Sequence, residues 1–250
     1  GKSVQNLSKS TYPKNFLLDA KPSVFGKTVD LDTAILEIKR IINKSDQIHL
    51  TGMDCDISSI DNILGFAEKL KCSLDHMDGE KISNLYQSIQ RNGGSFVSFN
   101  EMKNRSDLLI FLGISENELS EKFFKKIQWN KKKTQKSIFF LGENKSSNFK
   151  YIQFDKNYTL ENLNNLGLCL SGKKKINKEF VELEKTFYQS KYPVVLLNIK
   201  KNNSNFISLA YDCISLINKK KRLKTFNFFG SNNSAGFVNS CVTKTGFPNS

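Results

Sequence analysis

The chain has 250 residues, 38% of them hydrophobic, with five cysteines and a formal net charge of +14. Its apolar runs are short of the roughly 18 residues that a transmembrane helix needs, and this length suits one large domain or two small ones. The scattered cysteines form no C-x-x-C pair, which argues against zinc, iron–sulfur or disulfide frameworks and favours free thiols in a reducing cytosol. The start GKSVQNLSKS has no signal-peptide pattern, and the absent Met predicts a cropped chain.

The positive charge comes almost entirely from lysine. Proteins that recognise nucleic acids rely on arginine for bidentate contacts and interleave aromatic residues with basic ones, and neither pattern is present. The composition therefore argues against a nucleic-acid partner. Two explanations of the charge stay open: codon drift in an A+T-rich genome, or attraction to another polyanion.

The first half of the chain alternates helical and strand-like patterns. After an extended polar segment at 1–27, apolar residues at helical spacing predict a helix over 29–44, capped by Asp32 with Asp30 adding acid near its start. Asn92-Gly93-Gly94 is a strong stop for a later helix. The remaining predictions are a strand at 47–53 that ends at Gly52, a helix beginning at Ser58 and Ser59, a strand at 72–77, a helix over 82–90 and a small strand at 95–99.

The second half begins with the strand DLLIFLG at 107–113, whose lack of alternation is typical of a strand buried on both faces. Residues 130–136 read as a polar loop. Further strands are predicted at 137–142, 150–155, 194–199 and 225–230, with helices at 117–129, 160–170, 178–190 and 206–217. This rhythm predicts an α/β fold, Rossmann-like, with mostly parallel sheets flanked by helices.

Few residues carry recognisable chemistry. His76 ends a predicted strand beside Asp75 and Asp78, and this group can bind a metal or act as a base, but a structural or surface role is favoured, because no second histidine lies nearby in sequence. His49 is expected in the core or at a sheet edge. The sequence contains no P-loop, no G-x-G-x-x-G after a strand and no G-x-S-x-G. Lysines cluster at Lys131–Lys133, at Lys173–Lys175 and at Lys219–Arg222, and the negative end of a helix dipole explains Lys219–Lys221.

Two segments carry a family resemblance. GMDCDISSIDNILGFAEKLKCSLDHMDG, followed by LYQSIQRNGGSFVSFNEMKNRSDLLIFLG, resembles the family formed by the B subunits of formylmethanofuran dehydrogenases. Within that family it is most similar to the member found in the bacterial formyltransferase/hydrolase complex. The similarity covers most of residues 28–250, and its most specific part, EMKNRSDLLIFLG, keeps Asn104, Arg105 and Asp107.

The resemblance implies molybdopterin-oxidoreductase-like lobes: a first α/β lobe at 28–104 and a second Rossmann-like domain at 105–250. Redox members of that superfamily carry a metal-ligating cysteine after the strand matching SLDHM, where this chain reads DGEKISNLYQ. They also carry a pterin loop after the strand-end glycine, where this chain reads GISENELS. We therefore expect a vestigial pterin edge near Gly52, His76, Gly79 and Gly113, with no catalytic residue, no metal site and no bound cofactor.

The function implied is that of a cytoplasmic, non-catalytic scaffold. The complex would pass a formyl group from formyl-tetrahydromethanopterin to methylofuran, its carrier, and hydrolyse it to formate on other subunits. Lys131, Lys132, Lys133, Lys173, Lys174 and Lys175 would hold the polyglutamate tail of methylofuran. No membrane partner is expected. The alternatives are an active molybdo- or tungstopterin chain of a formylmethanofuran dehydrogenase and a stand-alone nucleotide-binding module.

Overall fold

The computed structural model describes residues 21–53, 55–76, 78–128, 136–142, 148–154, 159–174, 178–199, 203–228 and 233–247. These residues divide into two compact units, one within Gly1–Ile48 and one within His49–Ser250. The boundaries predicted after residues 27 and 104 stay predictions. Within the described ranges, no helix combines the length and the apolarity that crossing a membrane would require.

The first unit consists of a hairpin and one helix. Strands β1 (Ser23–Val24) and β2 (Lys27–Thr28) pair antiparallel, and helix α1 spans Leu31–Lys44. The helix is confirmed but its cap is not Asp32. Asp30 Oδ1 accepts the Thr33 N–H at 2.8 Å, and this hydrogen bond lowers the pKa of the Asp30 carboxyl. Asp32 lies in the first turn of the helix, where a carboxylate suits the positive end of the helix dipole.

The second unit begins with a two-stranded parallel sheet, and both strands are shorter than predicted. Its elements are β3 (His49–Leu50), α2 (Ile57–Leu70), β4 (Ser73–Leu74) and α3 (Gly79–Asn92). The stop after Asn92 is confirmed: Gly93 takes φ +72°, and its N–H donates to Ile89 O at 2.7 Å. A core cluster joins α2, α3 and helix α9 (Ser234–Thr245) through residues that include Ile60, Leu64, Ile82, Phe237 and Val238.

The main sheet has five parallel strands in the order β7-β6-β5-β8-β9. Helices cover both of its faces, which confirms the predicted fold class. The strands are β5 (Leu108–Leu112), β6 (Ser137–Gly142), β7 (Lys150–Gln153), β8 (Pro193–Asn198) and β9 (Lys224–Phe228). The helices are α4 (Phe99–Arg105), α5 (Glu121–Ile127), α6 (Thr159–Leu170), α7 (Val181–Gln189) and α8 (Ser204–Asn218).

Strand β5 contributes to two separate cores, as its unbroken apolar sequence predicts. Leu108, Ile110 and Leu112 pack into the cluster that includes α6, α7 and α8. Leu109 and Phe111 point to the opposite face and pack with α4 and α5. Because successive side chains of a strand face opposite ways, a strand buried on both sides needs apolar residues at every position.

One predicted strand is wrong, and one helix is missing from the sequence predictions. The predicted strand at 95–99 is reduced to one bridge between Phe96 and Thr225, because Ser98 Oγ accepts the Glu101 N–H at 3.2 Å and starts α4. Helix α9 has no counterpart among the sequence predictions.

The loop position predicted for Lys136 is confirmed, since it directly precedes β6, but its side chain lies inside the protein. Lys136 is 5% exposed, and its ammonium donates to the carbonyls of Met102, Lys103 and Ser106 and to Ser106 Oγ, at 2.6–3.2 Å. It thereby caps the carbonyl end of α4. Burial lowers the pKa of Lys136 to about 8, against an opposing effect of the Asp107 carboxylate.

Lys221 repeats this arrangement at the end of α7. Its ammonium donates to the carbonyls of Phe187, Tyr188 and Ser190 at 2.6–2.7 Å. Asp107 lies at the same edge of the sheet, and its carboxylate accepts hydrogen bonds from the N–H groups of Lys191 and Tyr192 at 2.6 and 2.9 Å. Both lysines therefore serve the fold and are engaged by carbonyl oxygens.

We expect Lys136→Met to lower the free energy of unfolding by about 1–3 kcal/mol, because buried carbonyls lose their donor. Urea unfolding followed by circular dichroism measures the change. Lys185→Met, at an exposed position in α7, is the matched control and should stay within about 0.5 kcal/mol of the parent. Equal effects of the two substitutions would contradict the capping role.

The turn after β3 gives a second prediction about stability. Gly52 has φ +90° with nothing within 4 Å of a Cβ position, so Gly52→Ala tests backbone strain alone. We expect a loss of roughly 1–2 kcal/mol. Gly65→Ala, inside α2 and equally uncrowded, should instead stabilise by about 0.5–1 kcal/mol. Thermal or urea unfolding of both variants checks the opposite signs.

Candidate functional site

The strand order of the main sheet reverses direction between β5 and β8. In open α/β sheets, ligands bind outside the carboxyl ends of the strands at such a switch point. Here β5 ends at Leu112 and is followed by Gly113, while β8 ends at Asn198. Gly113 takes φ +66°, and its N–H donates to Leu141 O at 2.8 Å, so the chain turns sharply away from the sheet.

Carboxylates line this switch point. Glu118 Oε2 accepts the Asn198 Nδ2–H at 3.4 Å and so links the segments that follow β5 and β8. Glu116 accepts hydrogen bonds from the backbone and side chain of Asn148 at 3.4 and 2.5 Å. A groove of about 570 Å³ lies alongside, lined by Glu116, Asn117, Leu119, Glu121, Phe124, Lys125, Asn148 and Phe149.

A molybdenum or tungsten pterin does not suit these residues. Its diphosphate would meet the carboxylates of Glu116 and Glu118 at the position where a phosphate site needs backbone N–H groups or cations. In the part of the chain that the structure describes, no three His, Cys, Asp or Glu side chains are grouped so that they could hold a metal ion. We therefore derive no chemistry through such a cofactor.

The predicted pterin edge is divided between two sheets. Gly52, His76 and Gly79 follow the strands of the small sheet, β3 and β4, whereas Gly113 follows β5 of the main sheet. Gly79 is the first residue of α3, and its N–H donates to His76 O at 2.8 Å. The assignment of these residues to a former cofactor site stays a prediction.

His76 lies inside the protein, with 1% of its surface exposed. Its imidazole contacts the Phe237 ring, with the centroids 5.2 Å apart. Nδ1 accepts the Asp78 N–H at 3.1 Å, while Asp75 Oδ1 accepts the His76 backbone N–H at 2.8 Å. The expected Asp–His–Asp group is thus a set of turn hydrogen bonds in which the ring bonds to a backbone group.

His49 differs from His76 in exposure. It is exposed in β3, and its Nδ1 lies 2.8 Å from Ser73 Oγ of the neighbouring strand. The sequence pattern predicts both histidines in short strands. Only the tertiary packing of α9 against the small sheet separates a buried ring from an exposed one.

The lysine clusters are only partly described. Lys131, Lys132, Lys133 and Lys175 lie outside the described residues, whereas Lys173 and Lys174 are exposed after the end of α6. Lys220 Nζ occupies the space where a Cβ on Gly172 would stand, and it lies 5.1 Å from the Tyr188 ring centroid. Two clusters that are far apart in sequence therefore meet in space.

We call this region the basic surface. Its described members are exposed or partly exposed and lie at the amino-end edge of the main sheet, just before β9 and just after α6: Lys173, Lys174, Lys219, Lys220 and Arg222. The sequence assigned Lys219–Lys221 to the dipole of the helix that ends just before them, but Lys221 instead donates to the carbonyls at the end of α7. The sequence signal that could have revealed the Lys220 contact is Gly172, because a glycine has no Cβ and so leaves space for the Lys220 side chain.

A groove of about 340 Å³ lies at the same edge of the sheet. Its walls come from the ends of α3 and α8, and its lining residues are Asn92, Gly93, Gly94, Ser95, Ile214, Ser215, Asn218 and Arg222. Arg222 is shared with the basic surface. The groove therefore extends the positively charged region toward the Gly93 turn.

No protein-family model matches the sequence, and a search among curated proteins finds no match. Among solved structures, the fold is similar to a chain of the crystal structure of the formyltransferase/hydrolase complex from Methylorubrum extorquens in complex with methylofuran. The TM-score is 0.78 at 17% sequence identity, over 90% of this chain and 65% of that one. The chain thus spans less than two thirds of the length of that relative, and the similarity establishes the α/β fold.

Proposed function

We propose that this chain is a non-catalytic structural component of a formyltransferase/hydrolase complex of one-carbon metabolism. The observation that carries the proposal is the fold match over 90% of the chain to a chain of such a complex. The motif EMKNRSDLLIFLG supports the more specific assignment to the B-type chain, because its strand and Gly113 form the edge of the switch point.

The chemistry would then lie elsewhere in the complex. A formyl group would move from formyl-tetrahydromethanopterin to methylofuran and leave as formate, with transfer and zinc-dependent hydrolysis on partner subunits in the cytoplasm. The carboxylates of Glu116 and Glu118 support the proposal that this chain holds no pterin, because they would repel the pterin diphosphate. Partner subunits and methylofuran as carrier are parts of this proposal.

We expect the tagged chain, purified from its native cells, to co-purify with a formyltransferase and a metal-dependent hydrolase. Mass spectrometry of the purified material identifies the partners, and elemental analysis measures molybdenum and tungsten. Iron–sulfur partners together with stoichiometric molybdenum or tungsten would instead favour the redox enzyme. Purification of a monomer without partners would also contradict the proposal.

The basic surface supports a role in holding methylofuran. Its members Lys173, Lys174 and Lys220 are exposed, and Lys174 Nζ makes one described hydrogen bond, to Asn165 Oδ1 at 2.9 Å. Several neighbouring cations attract a polyglutamate chain through exchangeable contacts, which keeps the chain bound while its reactive end moves. Lys136 and Lys221 do not contribute, because carbonyl oxygens already surround their ammonium groups.

We expect polyglutamate to bind the chain with an affinity that falls as salt rises. The triple variant Lys174→Gln, Lys220→Gln, Arg222→Gln should weaken binding on the order of tenfold at low salt. Isothermal titration calorimetry at two ionic strengths measures both effects.

The matched control for this measurement neutralises Lys69, Lys122 and Lys126, which are exposed on α2 and α5, and removes the same charge elsewhere. If both triple variants lose the same affinity for polyglutamate, the positive charge reflects compositional drift and not a binding site. Binding that is absent, or insensitive to salt, would contradict the tail-holding role and leave the membership of the complex to be judged by co-purification.

A further inference from the structure

The groove of about 340 Å³ between the ends of α3 and α8 offers hydrogen-bond donors to a ligand. None of the described residues that line it is an acid: Asn92, Gly93, Gly94, Ser95, Ile214, Ser215, Asn218 and Arg222. The Arg222 guanidinium makes no hydrogen bond and no ion pair with any described residue. Its N–H groups are therefore available to a ligand.

The turn after α3 adds backbone donors to the groove. Gly93 and Gly94 have no side chains that could cover the chain here, and Gly93 takes φ +72°. Within the described part of the protein, the N–H groups of Gly94 and Ser95 and the Ser95 hydroxyl donate to no other group. A glycine pair of this kind allows a ligand to approach the backbone closely.

The carbonyl groups at the two helix ends are already bonded. Free carbonyl oxygens at the end of a helix would repel an anion. Ile89 O of α3 accepts the Gly93 N–H at 2.7 Å, and Asn92 O accepts the Ser215 hydroxyl at 3.4 Å. Ile217 O of α8 accepts two N–H groups that follow the helix, at 2.9 and 3.0 Å. These hydrogen bonds reduce the repulsion that the helix ends would exert.

The charged residues near the groove also favour an anion. The Asp212 carboxylate on α8 accepts hydrogen bonds from Arg91 at 3.1 Å and from Asn92 at 2.6 Å, so a cation of its own already neutralises it. Lys219 and Lys220 are exposed where α8 ends. The groove therefore combines an available guanidinium with positive surroundings.

We propose that this groove binds one carboxylate of a glutamyl unit, with the Arg222 guanidinium as its anchoring cation. The planar fork of an arginine matches a carboxylate in a bidentate pair, which a lysine cannot form. The N–H groups of Gly94 and Ser95 supply further donors to the same ligand. The volume lies at the lower end of the range of ligand pockets, roughly 300–1,000 Å³, and so suits one residue and not a whole cofactor.

This inference rests on the tail-holding role for the natural source of the glutamyl unit. It adds one fixed subsite to the exchangeable contacts of the lysines. Free glutamate offers the same carboxylate chemistry, so both sources are compared in the test.

Nuclear magnetic resonance of the full chain tests the site, because weak binding of a single unit still shifts amide resonances. N-acetylglutamate amide carries one carboxylate, and N-acetylglutamine amide is its neutral match. We expect the Gly94 and Ser95 amide resonances to shift saturably with the first probe and to stay unchanged with the second. Equal shifts with both probes, or none with either, would overturn the proposal. Tighter binding of free glutamate than of the capped unit would contradict the tail as the source.

Two conservative variants separate the bidentate pair from charge alone. Arg222→Lys keeps the charge and removes the fork, and we expect it to weaken binding of N-acetylglutamate amide on the order of tenfold. Arg40→Lys makes the same exchange on α1, at an exposed position outside the groove, and should bind like the parent. Unchanged affinity in Arg222→Lys, or an equal loss in both variants, would contradict the subsite.

Calorimetry with polyglutamate distinguishes failure of this subsite from failure of the tail-holding role. If Arg222→Lys binds both the capped unit and polyglutamate like the parent, the subsite is wrong, and salt-dependent polyglutamate binding still supports the tail-holding role. If the parent binds neither ligand, both proposals are wrong.

Discussion

Strand β5 is the element on which the rest of the structure depends. All five residues of Leu108–Leu112 are buried, and the strand pairs in parallel with β6 on one side and β8 on the other. A strand without a solvent face requires helices on both sides of the sheet, and parallel neighbours require long crossovers. Asp107 holds the chain entering β8 to the start of β5, and Gly113 turns the chain away at its end.

This arrangement separates two chemically different edges. The carboxyl ends of the strands face Glu116, Glu118 and Asn198. The amino ends face the basic surface, where Lys220 packs across Gly172. Lys136 and Lys221 also lie near the amino-end edge, but they are fixed on helix carbonyls and so stabilise the sheet. The net charge of the chain therefore does not locate a polyanion site. Lys136 and Lys221 count toward that charge, but their ammonium groups already bond to carbonyl oxygens.

At the switch point, the backbone geometry suits a cofactor but the side chains do not. The geometry that brings a cofactor phosphate to a strand end is present in the turn at Gly113, yet the side chains beyond it are carboxylates. A fold sets where a site can form, and the residues on it decide what binds. The buried imidazole of His76 is a second case, since its chemistry depends on α9, which approaches from the far end of the chain.

The sequence by itself determined the fold class, the strands β5, β6 and β8, and the helix stop at Gly93, because unbroken apolar runs and glycine at positive φ are local properties. It missed α9, whose small polar residues give a weak periodic signal until Phe237 and Val238 meet a core. Only tertiary structure decided that Lys136 and His76 are buried and that Lys220 joins Lys173 and Lys174. Burial and proximity depend on partners distant in sequence, and local patterns do not carry that information.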